Sequence, residues 1–285
     1  MDLTPVQQLN GLWYKRDDLH VGPGGTNGAK LRACEHLIET MAAKGVKNVV
    51  TAASVRSPQH AIVANVAGRE GLTSHHIVGA TNDAAMRRHS SVVSALRAGA
   101  VFHHVGCAYN ASLQPAAAYL AARLPDAAVL HYGITTATGA SVSAVRAFAE
   151  VGGRQVANLP REVSTLVIPF GSGNSAVGIL TGLARYGRSD VAVKLIGIGP
   201  PRFEWAAGRL ASIGVDMPSD LELTDLHARG WARYSDLMPE TRDGIRFHPT
   251  YEGKVVRYLD SAAPVWWRRD GSVCLWIVGA PIGGS

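Results

Sequence analysis

From residue 47 onward the chain alternates short β-rich runs with longer stretches of helical spacing. That alternation narrows the fold more than any other feature. "KNVVTAA" (47–53) reads as a strand, and "SPQHAIVANVAGREG" after it has helical spacing and ends on glycine. "TSHHIVGA" (73–80) predicts the next strand, "DAAMRRHSSVVSALRAGA" one helix, "AVFHHV" a strand and "SLQPAAAYLAARLP" a helix with an early proline. The theme then repeats. "ASVSAVRAFAEVGG" (140–153) predicts a helix, "STLVIPF" (164–170) a strand, and "GSGNSAVGILTGLARYG" a glycine-rich turn running into a helix. "VAVKLIGIG" predicts a further strand, and "GSVCLWIVGAPIGG" a closing buried strand with a flexible tail. Only 216–250 breaks the rhythm; its charge and proline predict loops with short helices. A β-α-β rhythm implies parallel strands covered by helices. The expected architecture is α/β, with two open, mostly parallel sheets flanked by helices. Ligands of such sheets sit at the carboxyl ends of the strands.

The 285 residues suffice for one large domain or two small ones, and 47% hydrophobic with 18% charged content describes a folded chain. No apolar run approaches a membrane span, and the first residues show no secretory pattern. Cys34, Cys107 and Cys274 are far apart with no C-x-x-C spacing, which predicts reduced thiols and a cytoplasmic protein. The net charge of +6 fits a moderately basic surface or an anionic partner such as nucleic acid, and does not choose between them. The pairs His75-His76 and His103-His104 do not suggest a metal centre, because adjacent strand residues point to opposite faces. "GIGPP" (197–201) lacks the spacing of a dinucleotide fingerprint.

Two glycine-rich turns carry the chemistry. In "GGTNGAKLR" (24–32) a lysine follows a flexible run at the mouth of a helix. It is not a nucleotide P-loop: Ala29 separates Gly28 from Lys30, and Leu31 stands where a hydroxyl should follow. In "FGSGNSAVG" (170–178) small residues between a strand and a helix let backbone N–H groups approach an anion, with the positive end of the helix behind them. A lysine on one such loop and a phosphate cradle on another are the equipment for pyridoxal 5'-phosphate. The lysine forms a Schiff base with the cofactor aldehyde, and the cradle holds its phosphate.

"WYKRDDL" followed by "GGTNGAKLR" resembles the opening of the tryptophan-synthase-β-like (fold type II) pyridoxal enzymes. The likeness is to the branch of 1-aminocyclopropane-1-carboxylate deaminase and D-cysteine desulfhydrase. Three later segments follow in that family's order: "SVRSPQHA" (54–61), "GSGNS" (171–175) and "HPTYEGKVVRYLD" (248–260). The likeness spans roughly residues 13 to 280. It implies that Lys30 holds the cofactor and acts as the base near Cα. Gly171, Ser172, Gly173, Asn174 and Ser175 would bind the phosphate. Ser57, Gln59 and His60 would face the substrate carboxylate and the cofactor's ring oxygen. Tyr251 would sit by the substrate and Glu252 at the pyridine nitrogen, where a carboxylate favours the protonated, electron-withdrawing ring. Gln59 replaces an asparagine and Asn174 a glycine of the family pattern, and the chain is shorter than typical members.

The resemblance further implies a large cofactor-binding domain of residues 1–35 plus 139–285, a small domain of 36–138, the cofactor in the cleft between them, and a homodimer. The expected activity is that of a deaminase or lyase forming a Cα carbanion on a small amino acid. A second reading is the same chemistry, for example decarboxylation, on an amino acid attached to a larger anionic carrier such as a modified DNA base. The basic charge, the shorter length and the altered Gln59 loop motivate it. A third, a non-catalytic binder of cofactor or amino acid, would need neither Lys30 nor Glu252.

Overall fold

A hairpin of β1 (Val6–Leu9) and β2 (Leu12–Arg16) begins the chain and pairs antiparallel. The computed structural model describes residues 2–137 and 139–279. It divides into two units, Met1–His20 with Val142–Gly279, and Val21–Ser141. The expected flexible tail, past residue 279, lies outside the described residues.

The second unit holds α1 (Ala29–Ala43), β3 (Asn48–Ala52), α2 (Gln59–Arg69), β4 (Thr73–Gly79), α3 (Asp83–Met86), α4 (Ser90–Arg97), β5 (Val101–Val105), α5 (Asn110–Ala121) and β6 (Ala127–Leu130). Its sheet runs β5-β4-β3-β6, every neighbouring pair parallel. The central strand β3 buries Val49, Val50 and Ala52, packed through Val50 and Ala52 against Leu113 and Ala117 of α5. Residues 21–35, grouped with the large domain in the sequence reading, fall in this unit, because α1 packs on α2 and Gly24 lies against Asn65. The single helix expected from residue 83 is two. Met86 and Val92 both pack on Val78. Six residues apart on one continuous helix they would lie on different faces. The chain resolves this by leaving the helix at Arg87-Arg88-His89, with His89 extended before α4 begins.

Back in the first unit follow α6 (Val142–Gly153), β7 (Thr165–Phe170), α7 (Asn174–Arg185), β8 (Ala192–Gly197), α8 (Phe203–Ser212), β9 (Leu221–Asp225), the short hairpin β10 (Thr241–Arg242) and β11 (Ile245–Arg246), α9 (Glu252–Ala262) and β12 (Val273–Ile277). The six-stranded sheet has the order β1-β2-β12-β7-β8-β9, parallel except at β1. β7 and β12 are buried along their whole length, which is why β12 and, after Thr165, β7 read as apolar runs. The irregular stretch 216–250 contributes β9 to the sheet edge and the β10–β11 hairpin, and no helix among the described residues. The alternation in Leu-Glu-Leu suits an edge strand, which explains the difference from the expected short helices.

The helix that opens at the second glycine-rich turn is placed by a close approach. Gly178 and Gly182 of α7 face Gly152 and Gly153 of α6, and a Cβ on Gly153 would lie 3.0 Å from the Gly182 nitrogen. Only hydrogen side chains let the two backbones come so near. Among the described residues, no helix is long and apolar enough to cross a membrane.

Candidate active site

In the first unit, β7 ends at Phe170 and the chain turns through Gly171-Ser172-Gly173 into α7. Gly173 has φ +86° and ψ −18°, the left-handed region that side chains disfavour, and a Cβ there would lie 3.2 Å from the Trp205 ring. The first N–H groups of any helix lack an intrahelical carbonyl. Here Val177 N–H bonds Gly173 O at 2.9 Å. The turn and the positive end of α7 therefore form a cradle for an anion.

The same unit carries Tyr251 and Glu252 where α9 begins. Glu252 is fully buried. Its Oε1 accepts from the Gly279 N–H at 3.1 Å, and its Oε2 has no hydrogen-bond partner among the described residues. Burial pushes this carboxyl up from its usual 4.5 to about 7. Tyr251 is buried, with its ring stacked on His248 at 4.6 Å between centroids. Its hydroxyl lies 3.3 Å from that of Tyr234. Lys254 in turn donates to the carbonyls of Arg233 and Tyr234 at 2.6 and 3.0 Å, fixing the segment that carries Tyr234. Sequence reasoning gave no part to Tyr234 or Lys254. The quoted "YEGK" contained the lysine, and its apolar surroundings on α9 were the available signal.

Lys30, in the second unit, is the second residue of α1 and is half-buried. The loop after β3 leads through Ser54 and Ser57 into α2. Ser57 is half-buried and its Oγ accepts from the Gln59 N–H at 3.3 Å. Gln59 and His60 differ from what the resemblance implied. The Gln59 amide is turned inward: Nε2 donates to Thr51 Oγ1 at 2.7 Å and to His131 O at 3.5 Å, while Oε1 accepts from Gly133 N–H at 2.9 Å. It fastens α2 to β3 and to the loop after β6. His60 is fully buried, its Nδ1 3.1 Å from His76 Nδ1 and its Nε2 3.1 Å from Ser54 O. Burial pushes the His60 imidazole down to about 4 and holds His76 well below the usual histidine range. The pair is neutral core. Among the described residues, no cluster of three His, Cys, Asp or Glu suits a metal ion.

No family model matches the chain. It is 30% identical to the O-seryl-dTMP PLP-dependent decarboxylase of Salmonella phage ViI, over 94% of this chain and 78% of that protein. The solved structure of an ACC deaminase homologue superposes with a TM-score of 0.78 at 22% identity, covering 100% of this chain and 91% of the other. Maize serine racemase follows at 0.63 and 14%, over 98% and 88% of the two chains. Threonine deaminase isoform 2 of Solanum lycopersicum gives 0.62 and 12%, over 98% and 79%. The chain belongs to the fold type II family of pyridoxal-phosphate-dependent enzymes. Its two mostly parallel sheets are those of the family, and its cofactor is pyridoxal 5'-phosphate. The residues present fit that group on two observations. Glu252 offers a buried oxygen, unpartnered among the described residues and suited to a protonated ring nitrogen, and Gly171-Ser172-Gly173 turns through a left-handed glycine into the N-terminus of α7, the setting in which backbone N–H groups bind phosphate.

Proposed function

We propose that this fold type II enzyme decarboxylates an amino acid carried on a pyrimidine nucleotide or on the corresponding base of a polynucleotide. One observation supports that choice of reaction and carrier: identity of 30% along 94% of the chain to a decarboxylase named for O-seryl-dTMP. Bound pyridoxal phosphate supplies a carbonyl that condenses with the substrate amine and a ring that draws off the electron pair of a bond broken at Cα. The rest falls to the protein. Lys30 would hold the cofactor, and its amine, once free, would deliver a proton to Cα in place of the departing CO2. The turn Gly171, Ser172, Gly173, Asn174 and Ser175 would hold the phosphate.

Glu252, with its carboxyl raised to about 7, would hold a proton on Oε2 or, facing a protonated ring nitrogen, serve as its counter-charge. Tyr251, backed by Tyr234, orients the substrate. Ser57 and the N–H groups of its loop contact the substrate carboxylate. Gln59 and His60 serve by holding that loop from behind, since their side chains already have internal partners.

The test supplies the holoenzyme with O-seryl-thymidine monophosphate and follows the products by mass spectrometry and CO2 capture. The expected result is one CO2 lost and the amine retained on the nucleotide, abolished in Lys30→Ala. Inactivity on the nucleotide, with ammonia and a keto acid released from free D-cysteine or aminocyclopropane carboxylate, would establish the deaminase reading instead.

A further inference from the structure

The charge of the chain is concentrated. Residues 21–141 contain ten Lys and Arg against five Asp and Glu, whereas the remainder carries eighteen against seventeen. The second unit therefore holds +5 of the net +6. Within it three of the five acidic residues are gathered on one arginine. Glu35, Glu39 and Glu70 all bond Arg69, at 2.7, 3.3 and 2.8 Å. Asp83, one helical turn before Arg87, contacts His104 Nε2 at 2.7 Å, and Asp126 lies in the turn before β6. The cations left over include Arg56, Arg87 and Arg88, all exposed and none in an ion pair among the described residues.

These three come together through the fold. Arg56 lies in the loop that carries Ser57, and its neighbour Val55 packs on the cluster of Val78, Met86 and Val92. That cluster brackets the non-helical segment Arg87-Arg88-His89 between α3 and α4. Burial first, and then the nearby Arg56 charge, hold His89 below the usual histidine range, which reports the same proximity. The break that lets Met86 and Val92 share a partner thus also puts two arginines beside the loop of Ser57.

We propose that Arg56, Arg87 and Arg88 form a docking surface for the phosphate backbone of a polynucleotide, whose modified base enters beside Ser57. The inference rests on the reaction proposed above and names its carrier as a polymer. Charge complementarity supports it: guanidinium groups bind phosphate in forked geometry, and exposed arginines without carboxylate partners are free to release condensed counterions on binding. The position supports a nucleic acid over a membrane surface, because the patch adjoins the loop assigned to the substrate.

The experiment measures binding of a fluorescein-labelled oligothymidylate to the holoenzyme by anisotropy across a salt series. It compares wild type, the triple variant R56Q/R87Q/R88Q, and a control of equal charge loss in the first unit, R154Q/R161Q/R246Q. Cofactor absorbance and melting temperature report that each variant is folded and loaded. The expected result is affinity at least roughly tenfold weaker and a salt slope shallower by about 2 in the first variant only. Unchanged binding in that variant would overturn the proposal. So would an equal loss in the control, which would mean diffuse basicity, or binding to phosphatidylserine vesicles in place of the oligonucleotide. A decarboxylase of the mononucleotide that ignores oligonucleotides would refute the docking surface and leave the reaction standing. Oligonucleotide binding lost on R56Q/R87Q/R88Q, with no nucleotide decarboxylated by wild type, would do the reverse.

Discussion

Removing the charge of Glu252 should abolish one component of the pH dependence of stability. The perturbation is Glu252→Gln, which keeps the shape and the acceptor for the Gly279 N–H. In the cofactor-free protein burial raises this carboxyl from 4.5 to about 7. The folded state therefore binds a proton that the unfolded chain has already lost. Stability from this group is complete below pH 4.5 and is lost as pH rises through 7, because ionising a buried, half-bonded carboxylate is costly. At about 1.4 kcal/mol per unit, the loss between pH 5 and pH 8 is about 2–3 kcal/mol.

The assay is urea unfolding of wild type and variant, both stripped of cofactor, at pH 5 and pH 8. His60 and His76 titrate in the opposite sense over part of this range, but in both proteins, so they cancel in the difference between the two chains. The variant should gain on wild type by about 2–3 kcal/mol on going from pH 5 to pH 8. Parallel pH profiles would refute the reasoning, since they would mean that water reaches Glu252 and that its raised pKa does not exist. With cofactor restored the sign reverses in function. The variant cannot offer a charged partner to the ring nitrogen, and a lost charge-assisted bond of about 1.5–3 kcal/mol corresponds to a turnover roughly ten- to a hundredfold lower.

Two helix glycines should respond oppositely to alanine. Gly182→Ala drives a methyl into the Gly153 carbonyl and Val156, costing about 1–3 kcal/mol by denaturant midpoint, whereas Gly208→Ala on α8 meets nothing within 4 Å and should gain about 0.5–1 kcal/mol. Gly173→Ala must hold a left-handed backbone against the Trp205 ring, at about 1–2 kcal/mol, and equilibrium dialysis should show cofactor affinity falling roughly tenfold. On the acid side, His60 stays neutral in the fold down to about 4, so stability present above pH 6.5 is lost as pH falls toward 4, by about 3 kcal/mol from this residue. Urea midpoints at pH 7 and pH 5 should show the loss reduced in His60→Leu.

The sheets were legible where burial is complete, because a strand covered on both faces has to be apolar throughout. Residues 49–53, 166–170 and 273–277 carry that mark, with Thr51 the polar exception. The opening hairpin was legible too and went unread: Asn10-Gly11 between two short runs is the pair that two-residue turns favour. The break at Arg87-Arg88-His89 could not be read locally, since it answers to Val78 on another element. The site divides in the same way. Lys30, the glycine turn and Glu252 could be proposed from the sequence because each belongs to a short motif. Whether Gln59 and His60 face a ligand or the core depends on Thr51, Gly133 and His76, which local spacing does not reveal. Tyr234 lies in an irregular stretch and gains its place only through Lys254.

The buried polar groups of the first unit show why Glu252 stands apart. Asp17 accepts from Thr4 Oγ1 at 2.7 Å and from the Trp276 indole at 2.9 Å. Lys15, equally buried, donates to Thr4 O and Asn158 Oδ1, each at 2.7 Å. Both come from the "KRDDL" segment that helped mark the family, and both are bonded inside the protein, so their part is to lock β2 into the sheet. Buried polar side chains held only for the fold are expected to be satisfied in this way, because an unpaired one costs about 1–3 kcal/mol. Among the described residues of this unit, the buried side-chain oxygen left over is Oε2 of Glu252. A chain that satisfies Lys15 and Asp17 so completely has the means to satisfy one more carboxylate. Among the described residues Oε2 of Glu252 is left open, which is what the ring-nitrogen contact proposed for it requires.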